Sequence, residues 1–411
     1  MIEQQPFSAS AIRCPVCDSA DVNRCISIAD VPIYCNVSYE SQQQGLEAPR
    51  GDIDLQFCNR CSHLFNAAFE PDIVDYAVEY ENALHHSARF LDYAESLSAE
   101  LVKLYDLREK YIVEIGCGPG HFLSLLCSKG NNQGIGFDPS YKSEGSSDYS
   151  SAKISILQEQ FGTRPMQRPA DFLCCRHALE HFHKPITLLM EINQKMGMNT
   201  PVYFEVPNAG FTLLDLGIWD LIYEHCGYFT EQSLRFAFEH SGFTVSELTE
   251  DFGNQFLGMH ARVGDNNGVQ SIRAFALESV PALESAMLNF ANQYRLKVDY
   301  WKNALDSLHA SGKVAAVWGA GSKGVSFCNI MREKDSIQYL IDINLEKQGR
   351  YIAGSGHRIC APEFLLQQSV DAIIVLNPMY TPEIRRQLDR LGVEAEIIED
   401  SSQANEQNHY A

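Results

Sequence analysis

Three groups of residues have types and spacings that could do chemistry. The first is a turn, Glu114-Ile-Gly116-Cys-Gly118-Pro-Gly120, where an acid precedes three alternating glycines. Glycine lets the backbone come close to a ligand, and a helix starting there offers free N–H groups to its polar atoms. The second is a pair of C-x2-C knuckles, Cys14-Pro-Val-Cys17 and Cys58-Asn-Arg-Cys61, about forty residues apart. Four thiolates make a closed tetrahedral zinc site, which is structural because no position remains for substrate. Cys25 and Cys35 read as ordinary buried thiols, and His63 as a less favoured substitute ligand. The third group is His177-Ala-Leu-Glu180-His181 together with Tyr223-Glu224-His225. An adjacent Glu–His pair makes a general base if the carboxylate fixes or polarises the imidazole.

These groups need elements to position them. Tyr111 to Ile115 is a short apolar run and predicts a buried strand; Phe122, Leu123, Leu125 and Leu126 predict a helix after the glycine turn. Gly134 to Asp138 predicts the next strand, ending in an acid. Asp171 to Arg176 predicts another and runs directly into His177, Glu180 and His181. Ligands of open α/β sheets sit at the carboxyl ends of strands, so these side chains are well placed. Pro201 to Pro207 predicts a further strand ending at the same edge, beside Asn208. Thr230-x-x-Ser233 starts a helix, which leaves Tyr223 to Tyr228 in a loop. Neighbouring side chains of a strand point oppositely, so Glu224 and His225 can cooperate only if that loop bends.

Residues 70–110 read as helical, with Tyr80, Asn82, His85 and His86 forming a polar-aromatic lid, and residues 143–151 read as a loop. Gly242 to Leu248 closes the sheet as a hairpin strand, and residues 274–308 form a helical linker. A second α/β unit follows: a strand at Val314–Trp318, the turn Gly319-Ala-Gly321-Ser-Lys323-Gly324, a helix, and strands at Tyr339–Asp342 and Asp371–Leu376. By spacing alone that turn could hold NAD.

The length of 411 residues implies more than one domain. We divide the chain at 1–70 (zinc-binding), 71–265 (cofactor-binding with a lid), 266–400 (a second Rossmann-like unit for substrate) and 401–411 (tail). With 32 basic and 53 acidic residues the net charge is −21, which argues against a nucleic-acid partner. No apolar run approaches the roughly 20 residues of a membrane span, and a signal-peptide pattern is lacking. A cytoplasmic enzyme acting on a small molecule is the expectation, and thirteen cysteines in a reducing compartment suggest metal binding or burial.

The turn from Glu114 to Gly120, followed by Asp138, resembles motif I of class I S-adenosylmethionine (SAM) methyltransferases. That resemblance implies glycines facing the methionine part of SAM and Asp138 on the ribose hydroxyls; His177, at the carboxyl end of a strand, is a further cofactor-binding candidate. The double C-x-x-C region, the H-x-L-E-H stretch and the 319–324 turn, in this order, resemble the zinc-binding sugar C-methyltransferase family, best known for nucleotide-sugar 3-C-methyltransferases. Val31-Pro32-Ile-Tyr-Cys-Asn36, Asp342 to Arg350, and Pro378 with Glu383-Ile384 carry the same likeness.

The family implies a class I Rossmann-like SAM domain between an N-terminal zinc domain and a degenerate Rossmann-like C-terminal domain that helps hold the nucleotide sugar. It implies His225 as base, Glu224 as its neighbour, and His181 and Tyr223 lining the substrate. Tyr80, Asn82, Asn208, Gly321 and Lys323 are the remaining substrate candidates. The expected function is therefore SAM-dependent methylation of a small molecule at carbon. The rivals are O- or N-methylation of a non-sugar metabolite, an NAD-dependent oxidoreductase, and a non-catalytic zinc scaffold.

Overall fold

The structure is a computed structural model that describes residues 12–75, 84–142, 153–166, 168–264, 280–332 and 337–400. The lid candidates Tyr80 and Asn82, the loop at 143–151 and the 401–411 tail lie outside the described residues.

Seven strands build the central sheet: β1 (Tyr111–Ile115), β2 (Gln133–Phe137), β3 (Lys153–Leu157), β4 (Phe172–Arg176), β5 (Pro201–Pro207), β6 (Phe243–Asp251) and β7 (Phe256–Val263). Their order is β6-β7-β5-β4-β1-β2-β3. The first five pair in parallel, and β7 is antiparallel to both neighbours. Every residue of β4 is buried, as expected of a central strand covered on both faces. The order reverses between β1 and β4, so a crevice opens at their carboxyl ends, where open α/β sheets bind ligands. The edge strand β3 is not foreseen above. It is short, and only Ile154 and Ile156 mark its alternation.

Helix α1 (Ala88–Leu104) is capped by Ser87, and helix α2 (His121–Gly130) starts straight from Gly120. The second α/β unit is a parallel five-stranded sheet of β8 (Ala315–Trp318), β9 (Ile337–Ile341), β10 (Ile359–Cys360), β11 (Ala372–Val375) and β12 (Glu396–Glu399), ordered β10-β9-β8-β11-β12. Between the sheets in sequence runs the long helix α3 (Val280–Ala310). Its Lys297 and Trp301, together with Trp219, converge on Asp400, which accepts from each at 2.8–2.9 Å. No helix among the described residues is long and apolar enough to cross a membrane.

The N-terminal strands Val22–Pro32, Arg50–Cys58 and Leu64–Asn66 form a third sheet, whose fourth strand, Gly227–Tyr228, comes from far along the chain. One apolar core runs from this sheet through α3 to the C-terminal sheet. Another joins Cys14, Cys58, Cys61 and Phe65 to Val113, Ile115 and Phe229 of the central unit.

Candidate active site

The glycine turn forms as its residues require. Gly116, Gly118 and Gly120 have φ of +68°, +51° and +86°, in the left-handed region that favours glycine. Asp138 at the end of β2 reaches back to the turn: one carboxylate oxygen accepts the Gly118 N–H at 2.8 Å, the other accepts from the Ser140 N–H and hydroxyl. Together they border a cavity of about 630 Å³ that also includes Glu114 and His177. Glu114 is buried, and one of its oxygens has no hydrogen-bond partner. Burial pushes its carboxyl up to about 8. A ligand with a cationic group and vicinal hydroxyls fits this donor set, and SAM carries both.

A second cavity of about 300 Å³ lies beyond it, between the central unit and the carboxyl ends of the C-terminal sheet. Gly321, Lys323 and Lys347 face it from the C-terminal unit; Glu180 and His225 face it from the central unit. His177 and His181 border both cavities and so mark where they meet. Lys323 is ion-paired with Asp220. The buried Lys347 donates to Ala320 O and Asn36 Oδ1 at 3.1 and 3.3 Å. Gly324 lets α4 (Ser322–Ile330) approach the strand, since a Cβ there would lie 1.9 Å from Gly319 O.

At the junction, one ligand-type atom each from Glu180, His181 and His225 lies within 4.8 Å of the other two. The two imidazoles meet edge to face, centroids 5.0 Å apart. Burial holds His181 down to about 4. Burial, then the neighbouring His181, His177 and Lys323, holds His225 well below an ordinary histidine. Both rings are therefore neutral at pH 7, with a lone pair to accept a proton. Burial pushes the Glu180 carboxyl up to about 8.

His177, at a φ of +51°, sits where β4 ends. Its Nε2 lies 2.7 Å from Glu205 Oε1, and its ring packs edge-on against Phe256 at 4.5 Å. Glu205 is fully buried and accepts from Arg176 Nε and Nη2 at 3.0 and 2.7 Å, and from the hydroxyls of Tyr93 and Tyr203. Burial alone would raise its carboxyl; Arg176 and His177 outweigh that and hold it at about 2. Sequence reading missed this network because its members come from β4, β5 and α1.

Three expected site residues are placed elsewhere. Tyr223 is fully buried against the N-terminal sheet, where its hydroxyl accepts the Glu70 N–H at 2.9 Å. Glu224 turns away from His225, and its Oε2 accepts the Cys35 N–H at 2.8 Å. Both departures follow from the tight turn at 222–225, closed by a His225 N–H to Ile222 O bond of 3.3 Å, which sends successive side chains in different directions. Asn208 borders neither cavity. It caps the helix Ala209–Leu214 and donates to Glu250 and Asn254, as its place at a strand–helix junction favours.

The four cysteines come together. Sγ atoms of Cys14 and Cys61 are 3.6 Å apart, and those of Cys17 and Cys58 are 3.4 Å apart. Sulfurs around one zinc at about 2.3 Å lie roughly 3.8 Å apart in a tetrahedron, so the set fits that ion with small adjustments. His63 is not in this group; its ring packs against Phe229 at 4.7 Å.

Comparison with known proteins agrees with this architecture. Residues 85–248 match the family described as a methyltransferase domain, and residues 270–396 match the C-methyltransferase C-terminal domain. The C-methyltransferase NovU of Streptomyces niveus is 23% identical over 392 residues, which covers 90% of each chain. Among solved structures, a 1,6-didemethyltoxoflavin-N1-methyltransferase from Burkholderia thailandensis covers 49% of this chain and 96% of its own (16% identity, TM-score 0.36). A magnesium protoporphyrin IX methyltransferase from Synechocystis covers 42% and 83% (15% identity, TM-score 0.35). Fold, glycine turn and family matches define a class I SAM-dependent methyltransferase. In its C-terminal domain, and along nine-tenths of its length, the chain is similar to C-methyltransferases. The second glycine turn, at Gly319 to Gly324, accordingly lies within a C-methyltransferase C-terminal domain.

Proposed function

We propose that the enzyme methylates a carbon atom of a small keto acceptor of the nucleotide-linked sugar class, after a histidine removes a proton beside the carbonyl. The observation that carries this reading is the cluster of Glu180, His181 and His225 where the two cavities meet. SAM, held by Glu114, the glycine turn and Asp138, supplies an electrophilic methyl group. Carbon has no lone pair, so the acceptor needs activation. A ketone acidifies the neighbouring C–H, and a neutral imidazole in contact with it can take that proton. His225 is the base of this reading, with His181 beside it and Glu180 as the carboxyl that faces the pair. Proton removal would leave an enolate carbon; SAM, when bound, would supply the methyl group, its S–CH3 bond breaking as the C–C bond forms and S-adenosylhomocysteine leaving, and the part of the pocket is to hold the two reactants in register.

Lys323 and Gly321, with Lys347 near them, suit an anionic, hydrogen-bonding acceptor, which is why a nucleotide-linked sugar is preferred over an apolar metabolite. The division at 70, 265 and 400 follows the same reading: zinc unit, SAM unit, acceptor unit. Zinc is the ion we assign to Cys14, Cys17, Cys58 and Cys61, in a structural role. The name of NovU supports methylation at carbon. The test is a screen of nucleotide-linked keto sugars and other keto metabolites with methyl-labelled SAM, the products read by mass spectrometry and NMR. A new carbon–carbon bond is expected. Label found only on oxygen or nitrogen would move the enzyme to the O- or N-methyltransferase alternative.

A further inference from the structure

The loop that carries His225 is gripped by the cysteine-bearing N-terminal unit. Leu64–Asn66 begins three residues after Cys61, and it pairs antiparallel with Gly227–Tyr228, which begins two residues after His225. The Asn66 N–H donates to Cys226 O at 3.0 Å. The Cys35 N–H donates to Glu224 Oε2 at 2.8 Å, and the Glu70 N–H to the Tyr223 hydroxyl at 2.9 Å. Downstream, the Thr230 hydroxyl donates to Ser62 O at 3.2 Å, and the Ser62 hydroxyl to Gln232 Oε1 at 2.8 Å. The fit is also steric: a Cβ on Gly227 would come within 3.2 Å of the His63 ring, two residues past Cys61. From the other side, the loop meets the central unit at Glu180 O, which accepts from the Cys226 thiol at 3.5 Å, and at the His181 ring, which bonds the Glu224 backbone.

We infer that the four-cysteine site and the strand after it are a positioning device for His225. The ion fixes the knuckle Cys58–Cys61, the knuckle fixes Leu64–Asn66, and that strand holds the loop so that the His225 ring faces the acceptor cavity. Glu224 is a positioning residue on the same tether, acting through the Cys35 N–H. The physical reason is leverage. A loop has few contacts of its own, and a displacement of about 1 Å at a catalytic group is enough to cost on the order of 10²-fold in rate. The glycine turn and Asp138 make none of these hydrogen bonds; the cysteine unit meets the strand of Glu114 through apolar packing against Val113 and Ile115, so SAM binding is the control for that second route. The inference rests on the reading of His225 as base for its rate consequence only, not for the coupling itself.

Two perturbations of the full-length protein test it. The first removes the ion with a chelator or with Cys61→Ser. The second, Glu224→Ala, leaves the cysteines intact and cuts the bond to Cys35. Amide hydrogen exchange, calorimetric SAM binding, zinc content and kcat are read for each. For ion removal, faster exchange is expected at 64–66 and 226–228 together, with 111–138 unchanged. SAM affinity should be retained and kcat should drop roughly 10–100-fold. Glu224→Ala should lower kcat in the same direction at full zinc content and unchanged SAM affinity. Unchanged exchange at 226–228 after ion loss overturns the coupling, as does parallel loss of SAM binding, which would make the ion a support of the whole fold. Loosened exchange at 226–228 with kcat unchanged keeps the coupling and instead overturns His225 as the base.

Discussion

Glu180, not Glu224, is the carboxyl that faces His225: one of its atoms and a ring atom of His225 lie within 4.8 Å, although the two residues are distant in sequence. The adjacent Glu224 directs its carboxylate to the Cys35 N–H instead. A partner found by adjacency in sequence is thus replaced by one found by adjacency in space. The Glu180 carboxyl, pushed up to about 8 by burial, is largely protonated at neutral pH and can donate a hydrogen bond as well as accept one.

His225→Asn is expected to keep SAM binding and lower kcat by roughly 10²–10⁴, the usual range for loss of a general base. In heavy water, wild type should exchange the acidic acceptor proton when SAM is replaced by its demethylated product, and the variant should not. Wild-type turnover in His225→Asn would shift the role to His181, whose ring lies 5.0 Å away.

The pH profile of kcat should carry the signature of these environments. A base works only when neutral, so the rate falls as pH drops through its pKa. Because burial and positive neighbours hold His225 well below the ordinary histidine value, the acid limb should lie below pH 6.5. Glu180 ionises as pH rises through about 8, so a second change in rate is expected there. Glu114 is held up to about 8 as well, so in Glu180→Gln the change should be reduced rather than absent, and a profile unaltered from wild type would remove Glu180 from the proton-handling group.

Asp138→Ala should weaken SAM binding by about 1.5–3 kcal/mol, through loss of charge-assisted hydrogen bonds to the cofactor and of the Gly118 N–H acceptor that shapes the turn. Calorimetry reads this directly. Unchanged affinity would mean that the ribose is held elsewhere.

Glu205→Ala is expected to destabilise the fold by about 3–5 kcal/mol, because it leaves Arg176 buried without its partner. Denaturant unfolding at pH 7 measures the cost. The pH dependence follows from the folded carboxyl being held down at about 2. Its contribution is fully present above the unfolded value of about 4.3 and is lost as pH falls from there towards 2. The stability gap between wild type and variant should therefore narrow on acidification; a gap that stays constant would argue against an ionised Glu205.

What the sequence determined by itself is local. Glycines at 116, 118 and 120 are there because the turn needs positive φ, and a short apolar strand before it with a periodic helix after it can be read without a partner. The C-x2-C knuckles can be read as a four-thiol cluster because the spacing within each knuckle is set by one turn of backbone. The residues that meet around the second cavity obey no such spacing. Glu180 meets His225, Glu205 holds His177, and the Leu64–Asn66 strand grips Gly227–Tyr228 only because sheet order and loop path bring them together. Tyr223 and Asn208 follow the same rule: their types suit a site, and the direction of the chain at each position, set by packing, makes one a core side chain and the other a helix cap.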